Sequence, residues 1–142
     1  MLKNLLNPGT YAKEINIALL FLRIAIGIFM LTHGTGKLIA LLSGGPNQFA
    51  DPIGIGPAAS LALAVFAEFV CSLFLIFGVA TRFAVIPLII TMLVAGFIIH
   101  AKDLFHIKEM AFLYLSTFIT IAISGAGKFS VDNLIYKKIN SV

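Results

Sequence analysis

Charge is scarce in this sequence. Asp, Glu, Lys and Arg make up 11% of its 142 residues, whereas 60% are hydrophobic, and the mean hydropathy is +1.06. An ordinary soluble domain carries about 25% charged residues and has no means of burying so much apolar surface. The scarcity of charge therefore excludes a soluble fold and predicts an integral membrane protein that contacts the lipid bilayer.

Cysteine and clustered basic residues are scarce as well. Cys71, in an apolar run, is the only cysteine, so neither a disulfide nor a Cys-x-x-Cys redox pair can form within one chain. The net charge of +4 comes from singly scattered lysines and arginines, which argues against a nucleic-acid partner. The sequence also lacks a flavin-type glycine fingerprint and a clear haem-binding histidine pattern. It has no self-contained catalytic motif, and catalysis remains an open question at this stage.

Long apolar runs separated by turn-forming residues dominate the chain. We predict one domain over 1–142 and an all-α fold, a bundle of four transmembrane helices with a short C-terminal amphipathic helix on the membrane surface. The expected spans are 15–42, 58–78, 83–101 and 109–124, and the surface helix is expected over 131–139. Loop 43–57 is rich in Gly and Pro and is expected to be a connector, with a lid-like segment as the alternative.

The distribution of lysine and arginine predicts the orientation. A four-span topology places more of them on the side that carries both termini, which should therefore be cytoplasmic. The residues on that side are Lys3, Lys13, Arg82, Lys128, Lys137 and Lys138, and those on the other side are Lys37, Lys102 and Lys108.

Two ionisable residues lie deep inside predicted spans. A charge at the bilayer centre costs at least about 2.5 kcal/mol, so Arg23 and Glu68 each require a partner or a wet cavity. At about 1.5 Å per residue, Arg23 lies roughly 12 Å and Glu68 roughly 15 Å from the same membrane face. Their similar depths predict a buried ion pair between the first two spans, which acts as a helix clamp, a ligand site or part of a proton relay.

A second polar group is expected near the opposite face. His33 and Lys37 share a helix face, His100 ends the third span, and Glu109 begins the fourth. Such a group can hold a quinone head group or pass protons. Ordinary solvated side chains at a membrane interface, with no binding role, give the same sequence pattern. We expect no metal, with His33, His100, His106 and Glu109 as weak candidates. The candidate ligand-binding residues are Arg23, His33, Lys37, Glu68, His100, Glu109 and Tyr114. The glycines at 34 and 36 are expected to let another helix approach closely.

Several short motifs follow one another along the chain: Arg23, His-Gly-x-x-Lys at 33–37, Glu68, Gly-Val-Ala-Thr-Arg at 78–82 and Gly-Ala-Gly-Lys-Phe-Ser-Val-Asp at 125–132. By the order and spacing of these motifs, the chain resembles the DoxX family of small bacterial membrane proteins over about residues 15–132. Family members are described as membrane subunits of thiosulfate:quinone oxidoreductase or as membrane parts of thiol and oxidant-defence complexes, and many have no assigned activity. The resemblance implies a location in the bacterial cytoplasmic membrane and a protein partner that carries the redox centre. The cofactor is unknown from the sequence, and a quinone is the candidate. By the same analogy, Arg23, Glu68, His33 and Lys37 would meet the quinone or a small anion.

Two other functions remain open from the sequence. The first is a non-catalytic scaffold or assembly subunit in which the Arg23/Glu68 pair is structural. The second is a solute or proton carrier, which four short spans without an inverted repeat disfavour unless a homo-oligomer builds the path.

Overall fold

The computed structural model describes residues 6–44 and 49–140, and contains four long apolar helices followed by a short one. The helices are α1 (Lys13–Leu42), α2 (Pro57–Phe77), α3 (Thr81–Ile99), α4 (Phe105–Ser124) and α5 (Val131–Asn140). Each of the first four is long and apolar enough to cross a bilayer, which confirms the predicted all-α, four-span fold. Lys3 of the orientation count and residues 45–48 of the first loop lie outside the described residues.

The fourth span begins earlier than predicted. The sequence indicated a start at residue 109, whereas α4 begins at Phe105 and has 20 residues. Its first turn mixes the apolar Phe105 and Ile107 with His106 and Lys108, so the apolar run alone did not mark the start. At about 1.5 Å per residue the helix is about 30 Å long, enough for a full crossing.

The helices pack in chain order. α1 packs against α2, α2 against α3, and α3 against α4, while α4 also touches α1. The buried core between them consists of Met30, Cys71, Leu75, Ala84, Val85, Leu88, Met92, Ala111, Phe118 and Ile121. Large apolar side chains such as Phe21 and Ile123 point outward and are more than 70% exposed. In a membrane protein these outward side chains contact lipid, which explains why the helices are apolar on all sides.

A tight turn joins α2 to α3 at the end of the bundle that carries the termini. Gly78 ends α2 in the left-handed conformation (φ 69°), and the Val79 N–H donates to the Phe74 carbonyl at 2.9 Å. A Cβ at Gly78 would lie 1.9 Å from Arg23 Nη1, so only glycine fits here. Ala80 also has a positive φ, 45°, a conformation that costs a non-glycine residue energy and needs outside support.

Asp132, in the first turn of α5, supplies that support. Its two carboxylate oxygens accept hydrogen bonds from the backbone N–H groups of Ala80 (2.7 Å) and Thr81 (2.9 Å), and its own N–H donates to Gly78 O (2.8 Å). The carboxylate thereby caps the N-terminus of α3, where negative charge is favoured. Asp132 is 2% exposed, so α5 starts as a buried part of the bundle. That α5 lies along the membrane surface stays a prediction.

Arg23 belongs to this same end of the molecule, and the predicted ion pair with Glu68 is wrong. The fully buried guanidinium donates from Nη2 to Phe129 O at 2.5 Å and from Nη1 to Leu75 O at 3.5 Å. The carboxylate whose charge acts on it is Asp132. We call Arg23, Gly78, Phe129 and Asp132 the terminal clamp.

The direction in which helix side chains point explains why the predicted ion pair between Arg23 and Glu68 does not form. Side chains on a helix lean toward the N-terminus of that helix. Because α1 and α2 are antiparallel, Arg23 leans toward the terminal end of the bundle and Glu68 leans toward the other end. Similar depths of the two Cα atoms therefore do not bring the charged groups together.

Candidate functional site

The remaining candidate residues gather where α1 and α2 approach closely. A Cβ at Gly34 would lie 2.6 Å from the backbone carbon and oxygen of Glu68, which confirms that this glycine permits close helix contact. Gly36 has no atom within 4 Å of such a Cβ, so the same prediction is wrong for that position. Glu68 itself lies in a π-helical segment, Phe66–Cys71, and such segments are frequent at functional sites.

Glu68 pairs with Lys37. The Lys37 ammonium, one turn beyond Gly34, donates to Glu68 Oε1 and forms an ion pair with it. Each side chain leans toward its own helix N-terminus, and here that brings the two together. The Glu68 side chain is 3% exposed and that of Lys37 is 30% exposed, so the pair connects the interior of the bundle with its surface. Within residues 6–44 and 49–140, the second carboxylate oxygen, Oε2, is buried and has no hydrogen-bond partner.

Two cavities meet at this ion pair. The inner cavity, of about 210 Å³, lies toward α4, and the lateral cavity, of about 320 Å³, lies between α2 and α3. Both are lined by Lys37, Glu68, Ala95 and His100. Ala95 opens a second π-helical segment, Ala95–Ile99, so irregular helix lines the site on two sides.

The inner cavity holds two more of the predicted site residues. His33 and Tyr114 line it, and their rings meet edge to face with centroids 5.9 Å apart. Tyr114 also lies close enough to Glu68 for the two groups to interact electrostatically. Much of the remaining wall comes from the flexible side chains of three methionines, Met30, Met92 and Met110. This combination offers a cavity of mixed polarity, with several polar groups beside flexible apolar side chains.

The lateral cavity is mainly apolar and reaches the outer surface of the bundle. Leu63 of α2 and Ile90 of α3 line it and are 54% and 55% exposed, so its wall continues onto the lipid-facing surface. Its volume is at the lower end of the range of about 300–1,000 Å³ typical of small-molecule pockets. A lipid-soluble molecule could therefore reach the Lys37–Glu68 pair from the bilayer.

The loop before α2 covers part of this cavity. Residues 49, 50, 52 and 53 line it, and the neighbouring Asp51 carboxylate ties the loop to α2. Asp51 accepts hydrogen bonds from the Ser60 hydroxyl (2.7 Å) and from the N–H groups of Gly56 (2.8 Å) and Ile55 (3.1 Å). These bonds, led by that of Ser60, lower the pKa of the Asp51 carboxyl. They therefore stabilise the loop at neutral pH, and that stability is lost as pH falls through the lowered pKa.

His100 links the cavities to the solvent-exposed end. Its Nδ1 lies 2.7 Å from Asp103 Oδ2, and both side chains are partly exposed, at 38% and 42%. Asp103 was not among the residues predicted from the sequence. The sequence did contain one indication of its contact with His100, because Asp103 follows this histidine, at the end of the third span, by three residues.

Three predicted site residues lie elsewhere. Arg23 is in the terminal clamp, and Glu109 and His106 are exposed on the first turns of α4, outside the lining of both cavities. Within residues 6–44 and 49–140, no group of three His, Cys, Asp or Glu side chains comes close enough to hold a metal ion. The weak metal candidates are therefore not brought together.

Substitution of Gly34 tests the close helix contact. Gly34→Ala should lower the free energy of unfolding by about 1–3 kcal/mol, because its Cβ would press on the Glu68 backbone and push α1 from α2. Gly36→Ala is the matched control, since open space surrounds that position. Denaturant unfolding in detergent measures both, and an equal loss for the two variants would contradict the close contact at Gly34.

Comparisons with known proteins agree on one family. The DoxX family model matches residues 18–101, a stretch that contains Lys37, Glu68 and His100. An uncharacterized protein of Haemophilus influenzae is 34% identical over 84% of this chain and 92% of its own length. The inner membrane protein YqjF of Escherichia coli is 28% identical over 87% of this chain and 95% of its own. The putative oxidoreductase CatD of Bacillus subtilis is 28% identical over 88% and 92%. No solved structure gives a significant match.

Proposed function

Because this chain belongs to the DoxX family of multi-pass membrane proteins, we propose that it is the membrane subunit of a quinone-linked oxidoreductase. In this proposal the quinone head group binds at the Lys37–Glu68 pair, and a partner subunit carries the redox centre. The name of the Bacillus relative, a putative oxidoreductase, supports the reaction class, and that of the Escherichia relative supports a place in the bacterial inner membrane. The family resemblance suggests a partner that oxidises a sulfur compound or takes part in oxidant defence.

The unpartnered oxygen of Glu68 carries the proposal. A polar atom left without a hydrogen bond inside a membrane protein costs free energy, and a ligand that donates to it recovers that cost. The hydroxyl of a quinol can donate to Glu68 Oε2. The Lys37 ammonium has three hydrogens and uses one on Glu68 Oε1, so it can also donate to a quinone carbonyl. The Lys37–Glu68 pair can therefore form a hydrogen bond with either the quinone or the quinol.

The two cavities fit the two parts of such a ligand. A quinone has a flat polar head and a long apolar tail. The head would lie in the inner cavity, beside the Tyr114 ring and the methionines, and the tail would leave through the lateral cavity past Leu63 and Ile90. A water-soluble substrate would not need an apolar opening toward lipid.

Protons need a route to this buried position. Reduction of a quinone to a quinol consumes two electrons and two protons, and in this proposal the electrons come from the redox centre of the partner. His100 lines both cavities and contacts the half-exposed Asp103 carboxylate, so the two residues offer a path between Glu68 and water. Protons would pass along this path to or from the bound head group.

The direct test is quinone binding to the purified protein. A short-chain quinol analogue at about 100 times its dissociation constant should stabilise the native protein by about 2.7 kcal/mol, measured as a rise in Tm. Glu68→Gln should remove most of the shift relative to its own baseline, because the carboxylate that receives the quinol hydroxyl is gone. Glu109→Gln removes an exposed acid that lines neither cavity and should keep the full shift.

The result that would overturn this function is equally direct. If neither oxidised nor reduced analogues shift the Tm of the native protein, the pair does not serve a quinone. A lower baseline Tm for Glu68→Gln without any ligand effect would then favour a scaffold function for the whole chain.

A further inference from the structure

A third cavity lies at the end of the bundle that carries the termini, away from the proposed quinone site. It has a volume of about 210 Å³ and is lined by Tyr11, Lys13, Asn16, Lys128 and Phe129. α1 rises about 36 Å between Lys13 and Lys37, so this cavity and the Lys37–Glu68 pair lie at opposite ends of the span. The proposed function makes no use of it.

The buried Asn16 side chain fixes the walls of this cavity. Asn16 is 3% exposed, and its amide nitrogen donates to the carbonyls of Tyr11 (2.8 Å) and Ala12 (2.9 Å). Its amide oxygen accepts from the Lys128 N–H at 2.6 Å. The Tyr11 hydroxyl adds a bond to Ser124 O at 2.9 Å. Segments more than a hundred residues apart in sequence are thus held in one arrangement before any ligand arrives.

The electrostatics of the cavity favour an anion. Lys13 and Lys128 both line it, and neither forms an ion pair within residues 6–44 and 49–140. α1 also begins at Lys13, and Ala12 offers no side-chain cap for the unpaired N–H groups of its first turn. The acidic residue of that turn, Glu14, is exposed and does not line the cavity. The positive charges of two ammonium groups and the positive end of the α1 dipole therefore coincide at this cavity.

We propose that this cavity binds the phosphate group of an anionic phospholipid, such as phosphatidylglycerol. Lys13 and Lys128 would neutralise the phosphate. Apolar surface adjoins these lysines: Phe129 forms part of the cavity wall and is 44% exposed, and Ile17, one turn beyond Lys13 on the same side of α1, is 48% exposed. A phosphate that carries acyl chains uses both the lysines and these apolar surfaces, whereas free phosphate uses only the lysines.

Titration of the purified full chain tests this site. Short-chain phosphatidylglycerol is added to the protein in neutral detergent, and bound lipid is counted by native mass spectrometry beside phosphatidylcholine of the same chain length. The native protein should prefer phosphatidylglycerol. Lys13→Gln and Lys128→Gln should each lower its affinity about fivefold, and more than tenfold together. Lys102→Gln, which removes an exposed lysine at the opposite end, should leave the preference unchanged.

Three outcomes would overturn the proposal. One is a preference for phosphatidylglycerol that survives in the double variant. Another is equal binding of the two lipids by the native protein. The last is binding of inorganic phosphate as tight as that of the lipid, which would assign the cavity to the free anion. Lys13→Arg with Lys128→Arg should restore lipid binding, which separates loss of charge from damage to the fold.

Discussion

Replacement of Arg23 by Met is expected to lower the free energy of unfolding by about 3–5 kcal/mol, because it removes one member of a buried charged network. Phe129 O loses a donor at 2.5 Å, and the buried Asp132 carboxylate loses its nearby positive charge. Denaturant unfolding in detergent measures the loss. Hydrogen exchange should show faster opening of the turn at 78–81 and of α5, which Asp132 holds together.

Arg82→Met is the matched control for this prediction. Arg82 lies at the same end of the bundle and donates to Ile123 O at 3.2 Å, but it is partly exposed and can remain hydrated. Its loss should cost about 1 kcal/mol. Equal destabilisation by the two variants, or full protection of α5 in Arg23→Met, would show that the terminal clamp does not hold this end.

A double variant tests whether Arg23 and Asp132 act together. Asp132→Asn keeps the shape of the side chain but loses the charge and one of the two acceptors for Ala80 and Thr81. If the two charges are coupled, the loss for the double variant should be smaller than the sum of the single losses by about 0.5–3 kcal/mol.

The number and kind of helices could be predicted from the sequence because a bilayer leaves few choices. Apolar runs of sufficient length must become spanning helices, since every backbone polar group needs an internal partner. The start of α4 was missed because lysine and histidine in its first turn interrupt the apolar run, although side chains at a membrane interface tolerate such residues. Helix ends depend on local capping, which a hydropathy pattern does not contain.

Which ionisable residues would need a partner inside the membrane was also predictable, but the identity of each partner was not. Arg23 and Glu68 stood out because of the cost of charge in a membrane, and Lys37 stood out because it shares a face with His33. Depth alone then linked Arg23 to Glu68. The actual partners depend on the lean of each side chain and on a segment around Phe129 and Asp132 that folds back more than a hundred residues later. Long-range contacts of this kind leave no periodic pattern in a single sequence.

The high cost of an unpaired charge in a membrane also predicts that loss of Lys37 and loss of Glu68 destabilise the protein unequally, and denaturant unfolding can measure the difference. Lys37→Met should lower the free energy of unfolding by about 3–5 kcal/mol, because it leaves a carboxylate that is 3% exposed without its partner. Glu68→Gln should cost much less, about 1 kcal/mol, because the 30% exposed lysine can extend toward water. Lys102→Met, at an exposed loop position, should change stability by no more than about 0.5 kcal/mol.

The double variant Lys37→Met with Glu68→Gln completes a double-mutant cycle with the native protein and the two single variants. Its stability should lie close to that of Glu68→Gln alone, because the unpartnered charge is gone, and denaturant unfolding of the four proteins measures the coupling. Equal losses in the two single variants would contradict the asymmetry and indicate that both groups are equally hydrated. If the double variant is stable yet no quinone analogue raises its Tm, the pair serves ligand binding rather than stability. That result would explain why a membrane helix retains a carboxylate whose second oxygen has no partner among the residues that the structure describes.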